Sequence, residues 1–97
     1  MREDVAERKV PGGKFVRVRA YLTDECRFTD LVVEGDFFAY PPETIDELGE
    51  AVRGKSLAEA LVALDNVLEG VSLGGVDAEA LRELVEEAFR KACGDGE

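Results

Sequence analysis

From Lys14 to Leu22 apolar and polar side chains alternate, with Val16, Val18, Ala20 and Leu22 on one side and Phe15, Arg17, Arg19 and Tyr21 on the other. A period of two marks a half-buried strand. A second run, residues 27–35, follows Thr23-Asp24-Glu25-Cys26 and predicts its antiparallel hairpin partner. A two-residue turn at Asp24-Glu25 sets Val16 against Val33, Val18 against Leu31 and Ala20 against Thr29 on one face. The other face then pairs Arg19 with Asp30 and Tyr21 with Phe28, both favourable cross-strand combinations. Asp-Glu lacks the glycine that tight hairpin turns prefer, so a longer loop and a slip of one residue stay open.

Beyond Tyr40-Pro41-Pro42-Glu43 the period becomes helical. Pro42 suits a first turn, Ile45, Leu48 and Val52 recur at helical spacing, and Gly54 is a stop. Ser56-Leu57-Ala58-Glu59 reads as a capping box, with Leu57, Leu61, Leu64 and Leu68 as the apolar stripe of a helix ending at Gly70. Asp77 caps a third helix, whose apolar face is Leu81, Leu84, Val85, Ala88, Phe89 and Ala92, running toward Gly94.

A hairpin followed by helices predicts an α+β domain, a small antiparallel sheet with about three helices packed on one face. Two strands alone are marginal, so a third short strand is expected from residues 8–10, 38–40 or 71–73. The 97 residues make one domain, residues 1–97 with a core over about 9–92, and the first six and last four residues read as frayed ends.

Composition removes several chemistries. At 45% apolar and 35% charged, with no run approaching ~20 apolar residues, the chain is not expected to enter a membrane. Charges directly after Met1 leave no signal peptide pattern, and a cytoplasmic location is expected. There is no histidine, and the serines, Ser56 and Ser72, sit in no nucleophile elbow, so a self-sufficient hydrolase is not expected. Cys26 and Cys93 are expected to be reduced thiols rather than a bridge.

Charge divides the chain. Residues 1–27 hold seven Lys or Arg against five Asp or Glu, and the remaining seventy hold five against seventeen, within a total of −10. The acidic remainder argues against nucleic acid, which needs a broad positive footprint. Arg8, Lys9, Lys14, Arg17 and Arg19 form a run with no acid after Glu7. That run either balances neighbouring acids, with Asp30 and Glu34 as partners for Arg17 and Arg19, or meets an anionic ligand or an acidic protein face.

Two segments ask for more than architecture. In Lys9-Val10-Pro11-Gly12-Gly13-Lys14 the paired glycines permit unusual backbone conformations between two lysines, which suits either an anion cradle or a plain strand-entry turn. It is not a P-loop, since a strand follows it. Gly35-Asp36-Phe37-Phe38-Ala39-Tyr40 gathers three of the seven aromatics just past a strand. Adjacent Phe37 and Phe38 cannot both enter one core if the strand continues, so one faces a partner or both fold in through a kink at Gly35.

Taken together, Lys9-x-Pro-Gly-Gly-Lys14, a Val-rich strand, a hairpin, Gly35-Asp36-Phe37-Phe38 and then Pro42-Glu43 with a helix ending at Gly54 resemble the C-terminal accessory domain of lipoate-protein ligases. The resemblance runs from about Lys9 to Phe89, and Gly-Asp-Phe-Phe before a Pro-Glu helix start is its most specific part. It implies a fold similar to iron-sulfur scaffolds and sulfur acceptors, and a stand-alone chain is similar to the split form in which the domain works beside a large catalytic subunit.

The activity implied is two-step: lipoate and ATP, with Mg, give lipoyl-adenylate, and the lipoyl group passes to a lysine of a lipoyl-carrier domain. Catalytic groups would belong to the large subunit, and this chain would close or complete its site. Lys9, Gly12, Gly13 and Lys14 would lie near the adenylate phosphate or the partner, and Gly35, Asp36, Phe37 and Phe38 would form the docking edge. Two other readings are a sulfur-acceptor or cluster-scaffold-like module using Cys26, which needs an exposed thiol of lowered pKa, and an unrelated protein-interaction domain.

Overall fold

The computed structural model describes residues 1–10, 12 and 14–94, the side chain of Val10 excepted. Three strands, β1 (Arg2–Val10), β2 (Lys14–Leu22) and β3 (Phe28–Gly35), form an antiparallel sheet in that order. A two-stranded ribbon pairs β4 (Phe38–Tyr40) with β5 (Ser72–Gly74). Helices α1 (Thr44–Val52), α2 (Leu57–Leu68) and α3 (Ala78–Cys93) complete the chain. Helix α3 packs across β1 and β2, α1 on β3, and α2 against both other helices. No helix among the described residues is long and apolar enough to cross a membrane.

The inward face of the hairpin is the predicted one. Val16, Val18, Ala20 and Leu22 are fully buried with Leu31 and Val33, against Leu48, Leu64, Leu81, Leu84 and Val85 from the helices. The described core runs from Ala6 to Cys93.

The register differs from the two-residue turn. Val18 faces Val33, Ala20 faces Leu31, and Val16 faces Gly35, a slip of two positions that leaves both faces intact because the side-chain period is two. The loop is longer than Asp24-Glu25: the Thr23 N–H donates to the Arg27 carbonyl at 2.8 Å, and Cys26 adopts φ 65 within it. Between Tyr21↔Asp30 and Leu22↔Phe28 the register shifts, so Thr29 has no opposite residue. That bulge changes which side Phe28 faces. Predicted outside against Tyr21, Phe28 is instead 1% exposed, with its ring 5.6 Å from that of Phe89.

The third strand of the main sheet begins at Arg2, where a frayed end was expected. Its pattern is mostly charged, and the reason is its position at the sheet edge. Glu7 opposes Arg17 and binds it at 2.8 Å, Glu3 reaches Arg19 at 3.2 Å, and Arg8 reaches Glu83 of α3 at 2.9 Å. Further contacts tie this end of the chain down: the Met1 ammonium to Asp24 at 2.7 Å, Arg2 to the Ala92 carbonyl at 3.4 Å, and Lys91 to the Val5 carbonyl at 3.1 Å. The other candidate segments for a third strand both form strands, but pair with each other as the ribbon.

Helix starts follow the sequence closely. The Ser56 hydroxyl accepts from the Glu59 N–H at 3.3 Å while the Glu59 carboxylate accepts from the Ser56 N–H at 3.1 Å, and Asp77 accepts from the Ala80 N–H at 2.7 Å. Helix α1 starts two residues later than Pro42 suggested, because Pro41 and Pro42 form the turn whose carbonyls accept from Thr44 and Ile45.

Cys26 and Cys93 are joined in a disulfide, against the expectation of free thiols. The fold brings the end of α3 beside the β2–β3 loop although 67 positions separate the two residues. No thiol is left free among the described residues. A sulfur acceptor or cluster ligand requires a thiolate, so the reading built on Cys26 falls with its thiol.

Candidate functional site

Lys9 and Lys14 sit on either side of the β1–β2 connection, Lys9 opposite Phe15 and Lys14 at the first position of β2. Both are exposed, and neither enters an ion pair among the described residues. Gly12 is exposed with φ +95. Gly13, with Pro11, lies outside the described residues, and so does the cradle expected of them.

The arginines of the basic run are already engaged. Arg17 lies between Glu7 and Glu34, at 2.8 and 3.3 Å, with its guanidinium 5.1 Å from the Phe15 ring centre. The hydrogen bond it donates to the Glu7 carboxylate is the main reason its pKa rises above the ordinary value. Glu34 is therefore the partner expected for this pair of arginines, whereas Arg19 binds Glu3 instead of Asp30. With Arg8 on Glu83, the cations left to meet a ligand are Lys9 and Lys14.

The second segment meets the first at the same end of the sheet. Gly35 pairs with Val16, and the N–H of Asp36 donates to the Phe15 carbonyl at 2.7 Å. Gly35 has φ +138, and a Cβ there would overlap the Phe15 carbonyl oxygen, so both conformation and space require glycine. Lys14, Phe15, Gly35 and Asp36 are thus neighbours in the fold.

From Phe37 onward the side chains alternate. Phe37 packs partly buried against the core and Ala39 is buried, while Phe38 and Tyr40 are 65% and 70% exposed. Of the two adjacent phenylalanines, Phe38 is the one that faces outward. Phe38 opposes Gly74 in the ribbon, and a Cβ on Gly74 would overlap its ring. The aromatic lies across the bare glycine backbone of its partner strand. Tyr40 was missed as a candidate; the signal was present in the alternation Phe38-Ala39-Tyr40, with Ser72 opposite Tyr40.

No group of three or more His, Cys, Asp or Glu residues is placed to hold a metal among the described residues. A hollow along α3 is lined by Glu83, Glu86, Glu87, Arg90 and Lys91, in which Arg90 binds Glu86 and Lys91 approaches Glu87. What the arrangement offers is surface: two exposed lysines that enter no ion pair among the described residues, and a ribbon showing two exposed aromatic rings.

A three-stranded antiparallel sheet backed by three helices, with a separate two-stranded ribbon, defines a small α+β domain. No family model matches the chain, and no curated protein matches it. Among solved structures it is similar to a chain from an archaeal lipoylation system, a bipartite lipoate protein ligase and its E2 lipoyl domain from Thermoplasma acidophilum. The TM-score is 0.69 at 25% identity, over 88% of this chain and 94% of that one. The resemblance to lipoate-protein ligases read from residues 9–14 and 35–38 thus has a counterpart in the fold.

Proposed function

We propose that this chain is the non-catalytic accessory subunit of a bipartite lipoate-protein ligase. With a large catalytic subunit it would serve the ATP-dependent activation of lipoate to lipoyl-adenylate, with loss of pyrophosphate, and then transfer to a carrier-domain lysine, with loss of AMP. The observation that carries this reading is the likeness to a chain of similar length from a ligase described as bipartite. It is joined by the convergence of Lys14 with Gly35 and Asp36, the two segments from which the resemblance was read.

In this role Lys9 and Lys14 supply positive charge toward the adenylate phosphate or an acidic part of the partner, together with the Gly12-Gly13 backbone. In this reading nucleotide and Mg²⁺ would be bound by the catalytic subunit. Gly35 to Phe38 form the docking edge. Docking helps exclude water from a hydrolysable adenylate, a gating contribution that needs no catalytic group on this chain. The heterodimer would work in the cytoplasm.

The test combines the purified chain with the catalytic subunit from the same source and follows ATP- and lipoate-dependent mass gain on an apo carrier domain. Modification should require both subunits. A catalytic subunit fully active alone, and binding nothing here, would refute the role.

A further inference from the structure

The ribbon is the most exposed aromatic surface of the fold, and it is acidic ground. From Phe28 to Val52, and again from Ser56 to Leu81, the chain contains no Lys or Arg, and these two segments supply both ribbon strands. Asp36 stands two residues before Phe38, and Glu43 three after Tyr40. Helix α1, which contacts β4, adds exposed Asp46 and Glu47. None of Asp36, Glu43, Asp46 or Glu47 enters an ion pair among the described residues, whereas Glu3, Glu7 and Glu34 of the main sheet do. Exposed rings flanked by carboxylates that enter no ion pair among the described residues fit a partner with an apolar pocket and a basic rim.

We infer that the outer face of the β4–β5 ribbon, centred on Phe38 and Tyr40, docks on the catalytic subunit, at an apolar pocket rimmed by Lys and Arg. This rests on the accessory-subunit reading and narrows it. Phe37 leaves the contact, Tyr40 enters it, and the lysines at the hairpin end remain free for the phosphate. A second copy of this chain is a poor occupant, because like acids would meet across a two-fold axis. Anionic lipid and nucleic acid are repelled for the same reason. The rings are also ready for contact: Phe38 already lies on Gly74, so little rotamer freedom is lost on docking.

The experiment measures binding of the whole chain to the immobilised catalytic subunit at low and high salt. Phe38→Ala and Tyr40→Ala should each weaken the affinity by about 30-fold or more, the size of a hot-spot aromatic. The triple variant Asp36→Asn, Glu43→Gln, Glu47→Gln should slow association and flatten its salt dependence while changing dissociation little. Val62→Ala, on an exposed valine of α2, should behave as wild type. Both rings are exposed, so circular dichroism melts should show the variants folded; Tyr40→Ala stands alone if Phe38→Ala disturbs the ribbon. Wild-type binding that both aromatic variants retain would overturn this docking face and leave the accessory role intact. No wild-type binding would overturn both. A self-dimer in sedimentation, abolished by Tyr40→Ala, would replace the partner with a second copy and overturn the inference.

Discussion

Breaking the Cys26–Cys93 bond is the perturbation whose effect is largest and simplest to calculate. The bond closes a loop across 67 positions, so removing it returns to the unfolded chain a loop-closure entropy worth about 4 kcal/mol at 25 °C. Domains of this size have a total stability of about 5–15 kcal/mol, so the bond would account for a large share of it. At about 4–8 °C per kcal/mol, the melting midpoint should fall by about 20 °C. Urea titrations followed by far-UV circular dichroism, with and without a phosphine reductant, measure this directly. The cause predicts a second signature: the reduced chain, freed of its cross-link, should expose more surface and show a larger m-value. The variant Cys26→Ser, Cys93→Ser should match the reduced protein and be indifferent to the reductant. Two titratable thiols in protein purified without reductant would refute the reasoning at its first step. An unchanged midpoint on reduction would refute it at the second.

Gly35→Ala should cost about 1–3 kcal/mol from backbone strain alone, more with its overlap on the Phe15 carbonyl, and lower the urea midpoint well below that of Gly12→Ala, whose Cβ would meet nothing within 4 Å. Ser56→Ala removes the cap of α2 and should cost about 1 kcal/mol in the same titration. The hydrogen bonds from Ser56 hold the Glu59 carboxyl below its ordinary value of 4.5. Its contribution is therefore fully present above that value and lost as pH falls through the lower folded one, so Glu59→Gln should flatten the acid limb of the stability curve below about pH 5, measured by thermal melts. Lys14→Glu should reduce kcat/KM for adenylate formation about tenfold or more, the size of a lost charge-assisted contact, while subunit association stays within a few-fold.

Features specified by neighbours in sequence were legible in advance. The cap of α2 needs only Ser56 and Glu59, that of α3 only Asp77, and the buried side of β2 is written in its own alternation. What escaped depends on distant partners. Strand β1 looks like a frayed charged end until Arg17, Arg19 and Glu83 are set beside it. The position of Phe28 turns on a bulge at Thr29, and no residue type announces it. The disulfide required knowing that the last turn of α3 reaches the hairpin loop. At the candidate site, the sequence marked both segments and the conflict between Phe37 and Phe38. Only the pairing of Phe38 with Gly74 decided which ring faces out and brought Tyr40 with it.

The hydrogen bond from Arg2 to the Ala92 carbonyl has a consequence for how this fold can be linked to anything else. It sets the start of the first strand beside the end of the last helix, while Gly35 lies at the other end of the sheet, opposite Val16. Six strand positions separate Arg2 from Arg8, the residue on β1 level with Val16 and Gly35, about 20 Å. A tag or label attached before Arg2 would therefore emerge at the end of the sheet away from Gly35. A single-chain fusion to the catalytic subunit through that end would need about six extended linker residues merely to return to the level of Gly35. A circular permutant joined at residues 1 and 94 and opened at Gly12 would reverse this, placing both new termini beside the candidate surface.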